Sequence, residues 1–419
     1  MRRVQRTFLV FVLLTAISVG VSAQRSGMDV GQPGVEPRKI SPNSGEAIAV
    51  GPFLFSPALQ LSWQHQDNIF FTAGNEVADS LWLARARFQF ELPIYESYIL
   101  FAYTPQYRDY ATYELEDKWG HFFDFIGDFE FANGLVLDTT YRYVKSNLET
   151  REVDPGGELF WSDRLFQKHF VAANLDYWFS NRDGISFFGD YTDLKYDEPD
   201  IFYDYRRVYA GIGWLHQLSD VLVMKVAYGH IDFKPDNTIQ YRTSSSDEVA
   251  LTFEGQINPV MSTGITVGYR KTRYDTQEGD PDVPDVPDYG GLIAKGFFNW
   301  ELGHSSALRL DLLRSDYPSN FGINANYVAT GGSLVYRYDR NRLFGNARYR
   351  YQVNDYAMPD LATGLERRDP ITTWGLGLGY RFGSYFSIWG GYLNEDRGSN
   401  IHRYSYKNAV YTLGLIVGY

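Results

Sequence analysis

The chain has 419 residues, no cysteine and a formal net charge of −12. The missing cysteines exclude a disulfide framework, a Cys-based zinc site and a lipoprotein anchor, and the acidic balance argues against nucleic acid as a partner. With 33 Tyr, 29 Phe, 9 Trp and 39 Gly, yet a mean hydropathy of −0.33, the apolar side chains are plentiful but interleaved with polar ones.

The N-terminus reads as a secretion signal. Arg2, Arg3 and Arg6 form a basic head, Phe8 to Val21 an apolar stretch, and Val21-Ser22-Ala23 a small-residue cleavage pattern, which predicts a leader over residues 1–23 removed before Gln24. As a membrane anchor the stretch is short for a bilayer core of about 30 Å. No later segment approaches the roughly 18 apolar residues of a membrane helix. A chain of this kind that crosses a membrane must do so as a closed barrel, the one β-structure that leaves no backbone group unpaired in lipid. Residues 24–50 are rich in Gly, Pro and Ser, and are expected to form a flexible periplasmic segment, too polar to fold alone.

From Phe53 onward the sequence alternates apolar and polar residues in runs of roughly 10 to 14, close to what a tilted strand needs to span a bilayer. Trp82, Ala84, Ala86, Phe88, Phe90 and Leu92 alternate with Arg85, Arg87, Gln89 and Glu91. Phe123, Phe125, Gly127, Phe129 and Phe131 alternate with Asp124, Asp128 and Glu130. Val171 to Phe179 repeat the pattern around Asn174 and Asp176, and Leu343 to Tyr351 around Asn346, Arg348 and Arg350. Helical three- and four-residue spacing is absent, so these segments are strands.

The connections alternate in length. Short ones are predicted at Leu92–Glu96, Ala132–Gly134, Ser180–Gly184, Gln217–Asp220, Asn258–Met261, Gly303–Ser305, Asp339–Arg342 and Phe382–Ser384. Long ones fall near 65–79, 108–118, 146–164, 194–204, 232–246, 273–289, 315–325, 354–370 and 394–404. This spacing predicts an all-β, antiparallel up-and-down transmembrane barrel over residues 51–419 with about 18 strands, or 16 if the hairpin flanking 185–205 fails. Short turns would face the periplasm and long loops the exterior. A propeller would instead repeat every 40 to 45 residues or so, and no such repeat is present. The last residues, Tyr411, Leu413, Leu415, Val417 and Tyr419, alternate to an aromatic end. They are similar to the terminal strand by which the barrel-assembly machinery recognises outer-membrane proteins.

The stretch Val50-Gly51-Pro52-Phe53-Leu54-Phe55-Ser56-Pro57, followed by Asp67-Asn68-Ile69-Phe70, resembles the opening of the β-barrel porin-2 family. Strand endings such as Tyr141-Arg142-Tyr143 and Gly268-Tyr269-Arg270 extend the likeness to Tyr419. The resemblance implies an outer-membrane, porin-like protein; some members of that family are thought to accompany exopolysaccharide production and export. It implies no catalytic residue.

In a barrel, selectivity resides in inward side chains. Arg85, Arg87, Arg337, Arg348, Arg350 and Arg381 lie on strands that closure brings together, and Asp124, Asp128, Glu130, Asp138, Asp176 and Asp190 come from roughly the fourth to seventh strands. These are the expected basic and acidic walls of a pore. Phe170, Trp178, Tyr209 and Phe297 share the inward parity and could stack sugars. His65, His121, His169, His216, His230, His304 and His402 form no metal or nucleophile motif and are expected in loops or the lumen. Asp280 to Asp288, with interspersed prolines, lacks the Gly and Glu placement of a calcium loop. Neither a metal nor a cofactor is expected.

The function expected from these features is passive passage of small hydrophilic solutes across the outer membrane of a Gram-negative-type cell, with membrane lipid and the barrel-assembly machinery as partners. Export of a polysaccharide is the nearest alternative, and a surface enzyme or adhesin is the alternative from another class. The N-terminal segment is too short for the plug of an active receptor and lacks the apolar hatch of a lipid transporter.

Overall fold

Alternating side chains and turn residues produce a closed meander. The computed structural model describes residues 47–418 except 96, 116–117, 148–152, 154–155, 159–160, 198–202, 237–242, 276–285, 321–325 and 361. The leader, nearly all of segment 24–50, most of the Asp/Pro run at 280–288 and Tyr419 lie outside the described residues.

A short β1 (Ile48–Val50) folds back on β2 (Phe53–Gln66), so the end of the segment expected to be flexible is a strand. Next come β3 (Asp79–Ile94), β4 (Ser97–Tyr110), β5 (Trp119–Glu130), β6 (Leu135–Ser146), β7 (Phe166–Trp178) and β8 (Asp183–Tyr196). They are followed by β9 (Tyr205–Ser219), β10 (Leu222–Pro235), β11 (Ser244–Asn258), β12 (Met261–Tyr274) and β13 (Tyr289–Glu301). The chain finishes with β14 (Ser306–Pro318), β15 (Asn326–Arg340), β16 (Leu343–Pro359), β17 (Glu366–Arg381), β18 (Phe386–Arg397) and β19 (Tyr406–Gly418).

Every strand pairs antiparallel with the next. The ring closes where β19 pairs with β2, from Val410↔Gln66 to Gly418↔Ala58, giving a barrel of 18 strands, β2 to β19. Closure leaves no edge strand. The hairpin at 185–205 is present as β8 and β9, and all eight predicted short turns fall between strands. Asn341 takes a positive φ of 55° in the tight turn between β15 and β16, a conformation Asn tolerates better than most residues.

The outward face is apolar. Trp82, Leu376, Leu378 and Leu413 are each 55–62% exposed, and monomeric proteins in water rarely expose an apolar belt of this extent. Tyr411, Leu413, Leu415 and Val417 lie on this face of β19. The inward face is polar: Ser56, Gln60, Ser62 and Gln64 on β2 alternate with Leu59, Leu61 and Trp63. Among the described residues no helix is long and apolar enough to cross a membrane.

Candidate pore lining and constriction

Period-two alternation fixes which charges point inward. On β3, Arg85, Arg87, Gln89 and Glu91 share the inward face. Arg85 Nε donates to Gln106 Oε1 at 2.5 Å, and Arg87, buried, donates to Ser56 at 3.2 Å. On β16, Arg348 and Arg350 face inward, Arg350 bonding to Gln352. On β17, Arg381 grips Asp339 of β15 through two bonds of 2.7 Å. Arg337 on β15 shares the inward parity and is solvent-exposed.

The acids Asp124, Asp128 and Glu130 (β5), Asp138 (β6), Asp176 (β7) and Asp190 (β8) likewise take inward positions. Arg142 lies 3.7 Å from Asp124, and Arg207 of β9 bonds Asp190. Asp138 and Asp176 are nearly fully buried, yet each keeps an Oδ1 with no hydrogen-bond partner. Since β7 and β16 are nine strands apart in a ring of 18, the arginines of β15 to β17 stand opposite the acids, whereas Arg85 and Arg87 on β3 lie only two strands from β5.

Several inward charges escaped the sequence reading. Arg270 of β12 bonds Glu248 of β11 at 2.7 and 3.0 Å and Asp316 at 2.7 Å, and Tyr209 donates to the other Glu248 oxygen at 2.6 Å. On β17, Asp369 joins Arg367 at 2.7 Å and Arg397 at 2.6 Å, all three buried. Lys225, Lys295 and Arg309 also face inward, and Lys295 is exposed to the interior space. Extending the alternation to every strand finds these residues; choosing only the cleanest strands passes over β9 to β14, whose inward positions are often glycine.

Those glycines have a specific use. Phe188 lies opposite Gly211, Phe297 opposite Gly264, Phe344 opposite Gly379 and Trp389 opposite Gly414. Each ring fills the space a Cβ on its glycine would need. Tyr209 seats on Gly229 in the same way. A cation covers the ring in four of the five: Lys225 at 4.0 Å from Phe188, Arg207 at 5.7 Å from Tyr209, Arg309 at 5.3 Å from Phe297 and Arg381 at 4.6 Å from Phe344. Distances of this size are cation–π contacts. Of the aromatics expected to stack sugars, all four take inward positions, but Tyr209 and Phe297 are held between a glycine and an arginine.

The connection between β6 and β7 folds inward. Its Gly156 and Gly157 carbonyls accept from Gln352 at 2.7 Å and Asn354 at 3.4 Å on β16, halfway round the ring. Its buried Glu158 accepts from Ser319 Oγ at 2.6 Å and from the Asn320 backbone at 2.7 Å. Tyr205 of β9 donates to Val153 O at 3.1 Å, and Tyr113 to Asp163 at 2.6 Å. A side chain at Gly156 would strike Tyr317 and Tyr327, and Gly157 has φ +80° beside Arg350. Only a glycine pair lets the backbone lie this close to the far wall. Residues 156–158 of this connection therefore lie across the barrel interior and narrow it at the level of Arg350.

The barrel histidines are not lumenal. His65, His121, His169, His216 and His230 occupy outward positions beside Trp63, Trp119, Tyr141, Trp214 and Tyr228. Tyr103 bonds His121 at 2.8 Å and Tyr141 bonds His169 at 3.0 Å. Such amphipathic rings belong to an interfacial girdle. His304 is in a turn and His402 in a short 3-10 segment. Among the described residues no three His, Asp or Glu side chains converge on a metal position.

No family model and no curated protein matches the chain, and the likeness to the β-barrel porin-2 family stays at the level of a closed barrel. Solved structures that align with it include an outer-membrane protein, OpdK, and related Occ proteins. OpdK of Pseudomonas aeruginosa with vanillate is 12% identical, with 87% of this chain and 99% of that one covered, at a TM-score of 0.44. OccAB3 of Acinetobacter baumannii is 11% identical over 87% and 99%, at 0.45. OccK2 (OpdF) of Pseudomonas aeruginosa with glucuronate is 12% identical over 87% and 98%, also at 0.45.

Proposed function

We propose that the chain is an outer-membrane, porin-like channel for passive passage of small hydrophilic solutes, with no enzymatic role. The observation that carries this reading is the pairing of an apolar outward belt with an interior whose opposite walls differ in charge. The strands β5 to β8 bring six inward acids against Arg142 and Lys168. The strands β15 to β18 opposite bring six inward arginines against Asp339, Asp369 and Glu395. A transverse field results, which favours polar and zwitterionic solutes over apolar ones. The inward connection between β6 and β7 sets the size limit. Polysaccharide export draws less support, because the rings of Tyr209 and Phe297 carry arginines where a sugar would stack.

The test is single-channel recording of the membrane-extracted protein in a planar bilayer. Steady openings with a defined reversal potential in a salt gradient are expected. A folded barrel that conducts no ions overturns the reading.

A further inference from the structure

One sector of the outward face carries an excess of cations among the described residues. At the loop end of β8 to β12, just beyond the outward apolar residues Tyr191, Val208, Tyr228, Val249 and Tyr269, the register brings charged side chains side by side. Asp193 stands opposite Arg206, Arg206 opposite Lys234, Asp247 opposite Lys271 and Ser245 opposite Arg273. Arg206 is 3.3 Å from Asp193, Arg273 is 2.9 Å from Asp247, and His230 is also 2.9 Å from Asp247.

Asp232, the third outward carboxylate on the strands of this sector, lies 3.6 Å from His230, so three carboxylates stand against the outward Lys195, Arg206, Lys234, Lys271 and Arg273 and leave an excess of cations. Lys234 and Lys271 are exposed, and neither has an ion pair among the described residues. Arg206 and Lys234, like charges directly opposite on one face, repel each other unless an anion lies between them. The sector on β16 to β19 behaves otherwise: Arg368 pairs with Asp355 and Lys407 with Asp396, each at 3.3 Å, and Glu366 is a further acid.

We propose that the β9 to β12 sector seats the phosphates of an anionic membrane lipid. Arg206 with Lys234 forms one seat, and Lys271 with Arg273 the other. The seats lie on strands β9–β10 and β12, so they are roughly 10 Å apart or somewhat more at the usual strand spacing. A headgroup carrying two phosphates matches two seats; a single free phosphate occupies only one. The position suits a lipid, because the seats begin where the apolar belt ends and ammonium groups at that level meet lipid phosphate. This assignment rests on the barrel lying in a membrane, but not on its conducting.

The experiment is native mass spectrometry of the detergent-solubilised full protein with a doubly phosphorylated glycolipid, its phosphate-free form and inorganic phosphate. The wild type should retain the doubly phosphorylated lipid over the phosphate-free form. Lys234→Gln with Lys271→Gln should lower that retention roughly 25-fold, at about five-fold per lysine. Arg368→Gln with Lys407→Gln, in the balanced sector, should leave it unchanged. Equal losses in the two double variants would mean diffuse attraction and overturn the proposal, as would retention indifferent to the phosphates or displaced equally by inorganic phosphate. Both lysines face outward, so the first variant should keep wild-type bilayer conductance. A non-conducting barrel that still selects the lipid would sink the channel reading and leave the lipid seat supported.

Discussion

The walls at β16–β18 and at β6–β7 both point charged side chains inward, and they treat them in opposite ways. In the first, Arg367 lies between the rings of Tyr356 at 4.1 Å and Tyr404 at 3.6 Å, and Asp369 bridges it to Arg397. The Asp369 carboxylate is taken up by two guanidiniums and Arg367 is sandwiched between rings, as a buried ion network requires, although Arg367 Nη1 itself has no hydrogen-bond partner among the described residues. In the second, Asp138 stands directly opposite Asp128, and both Asp138 and Asp176 keep an oxygen without a protein partner. The closed network is scaffold and holds the wall in one shape. The open one keeps buried carboxylate oxygens that no protein group satisfies.

Substitutions that separate scaffold from open wall sharpen this contrast. The largest effect is expected from Asp369→Ala, which leaves Arg367 and Arg397 buried without their carboxylate. Loss of one partner from such a group costs about 3–5 kcal/mol, visible as a fall in the temperature at which the folded band converts on a gel. Asp138→Asn should change that temperature little; if it shifts as far as Asp369→Ala does, the two walls do not differ as argued.

Next comes Gly379→Val, which drives a side chain into the Phe344 ring and displaces it from beneath Arg381. Overpacking of this sort costs roughly 1–3 kcal/mol. Thermal conversion equal to the wild type would remove the glycine seat from the account.

A smaller and electrical effect is expected from the walls themselves. Arg348→Gln with Arg350→Gln should move the reversal potential toward cation preference, and Asp138→Asn with Asp176→Asn toward anion preference. Two shifts of the same sign, or none, would contradict a transverse field.

The smallest effect concerns the loop that covers the closed wall. Burial lifts the Asp360 carboxyl, but hydrogen bonds from Tyr404, Thr363 and Arg403 outweigh it and hold the group at about 2, below its ordinary 3.8. A carboxylate depressed by folding stabilises the folded form above its unfolded value, and that contribution is lost as pH falls through the folded one. The loop at 360–366 should therefore keep its protease resistance at pH 5 and lose it between about pH 4 and pH 2. Asp360→Asn should be sensitive at both ends of that range, and a wild type as resistant at pH 2 as at pH 5 would count against the assignment.

Much of the architecture was legible because strand alternation and turn chemistry are local. Trp82 to Leu92 and Leu343 to Tyr351 announce their two faces within ten residues, and Asn341 or Gly303 mark turns by their own backbone preferences. Parity also assigned Arg348, Arg350 and Asp176 to one face. It did not say that Asp190 has Arg207 for a partner, or that Asp369 joins two arginines, since those pairs depend on cross-strand register.

By itself, then, the sequence pointed to a closed barrel of about 18 strands, to the alternation of short and long connections and to the face of the side chains on the cleanest strands, though not to the outward face of the histidines. All of these follow from a period of two and from turn residues read one segment at a time. Only the tertiary structure decided which aromatic ring seats on which glycine, which inward charges neutralise one another, and that the connection between β6 and β7 crosses to Gln352 and Asn354. Those contacts join residues far apart in the chain, and they exist because closure of the ring brings distant strands face to face.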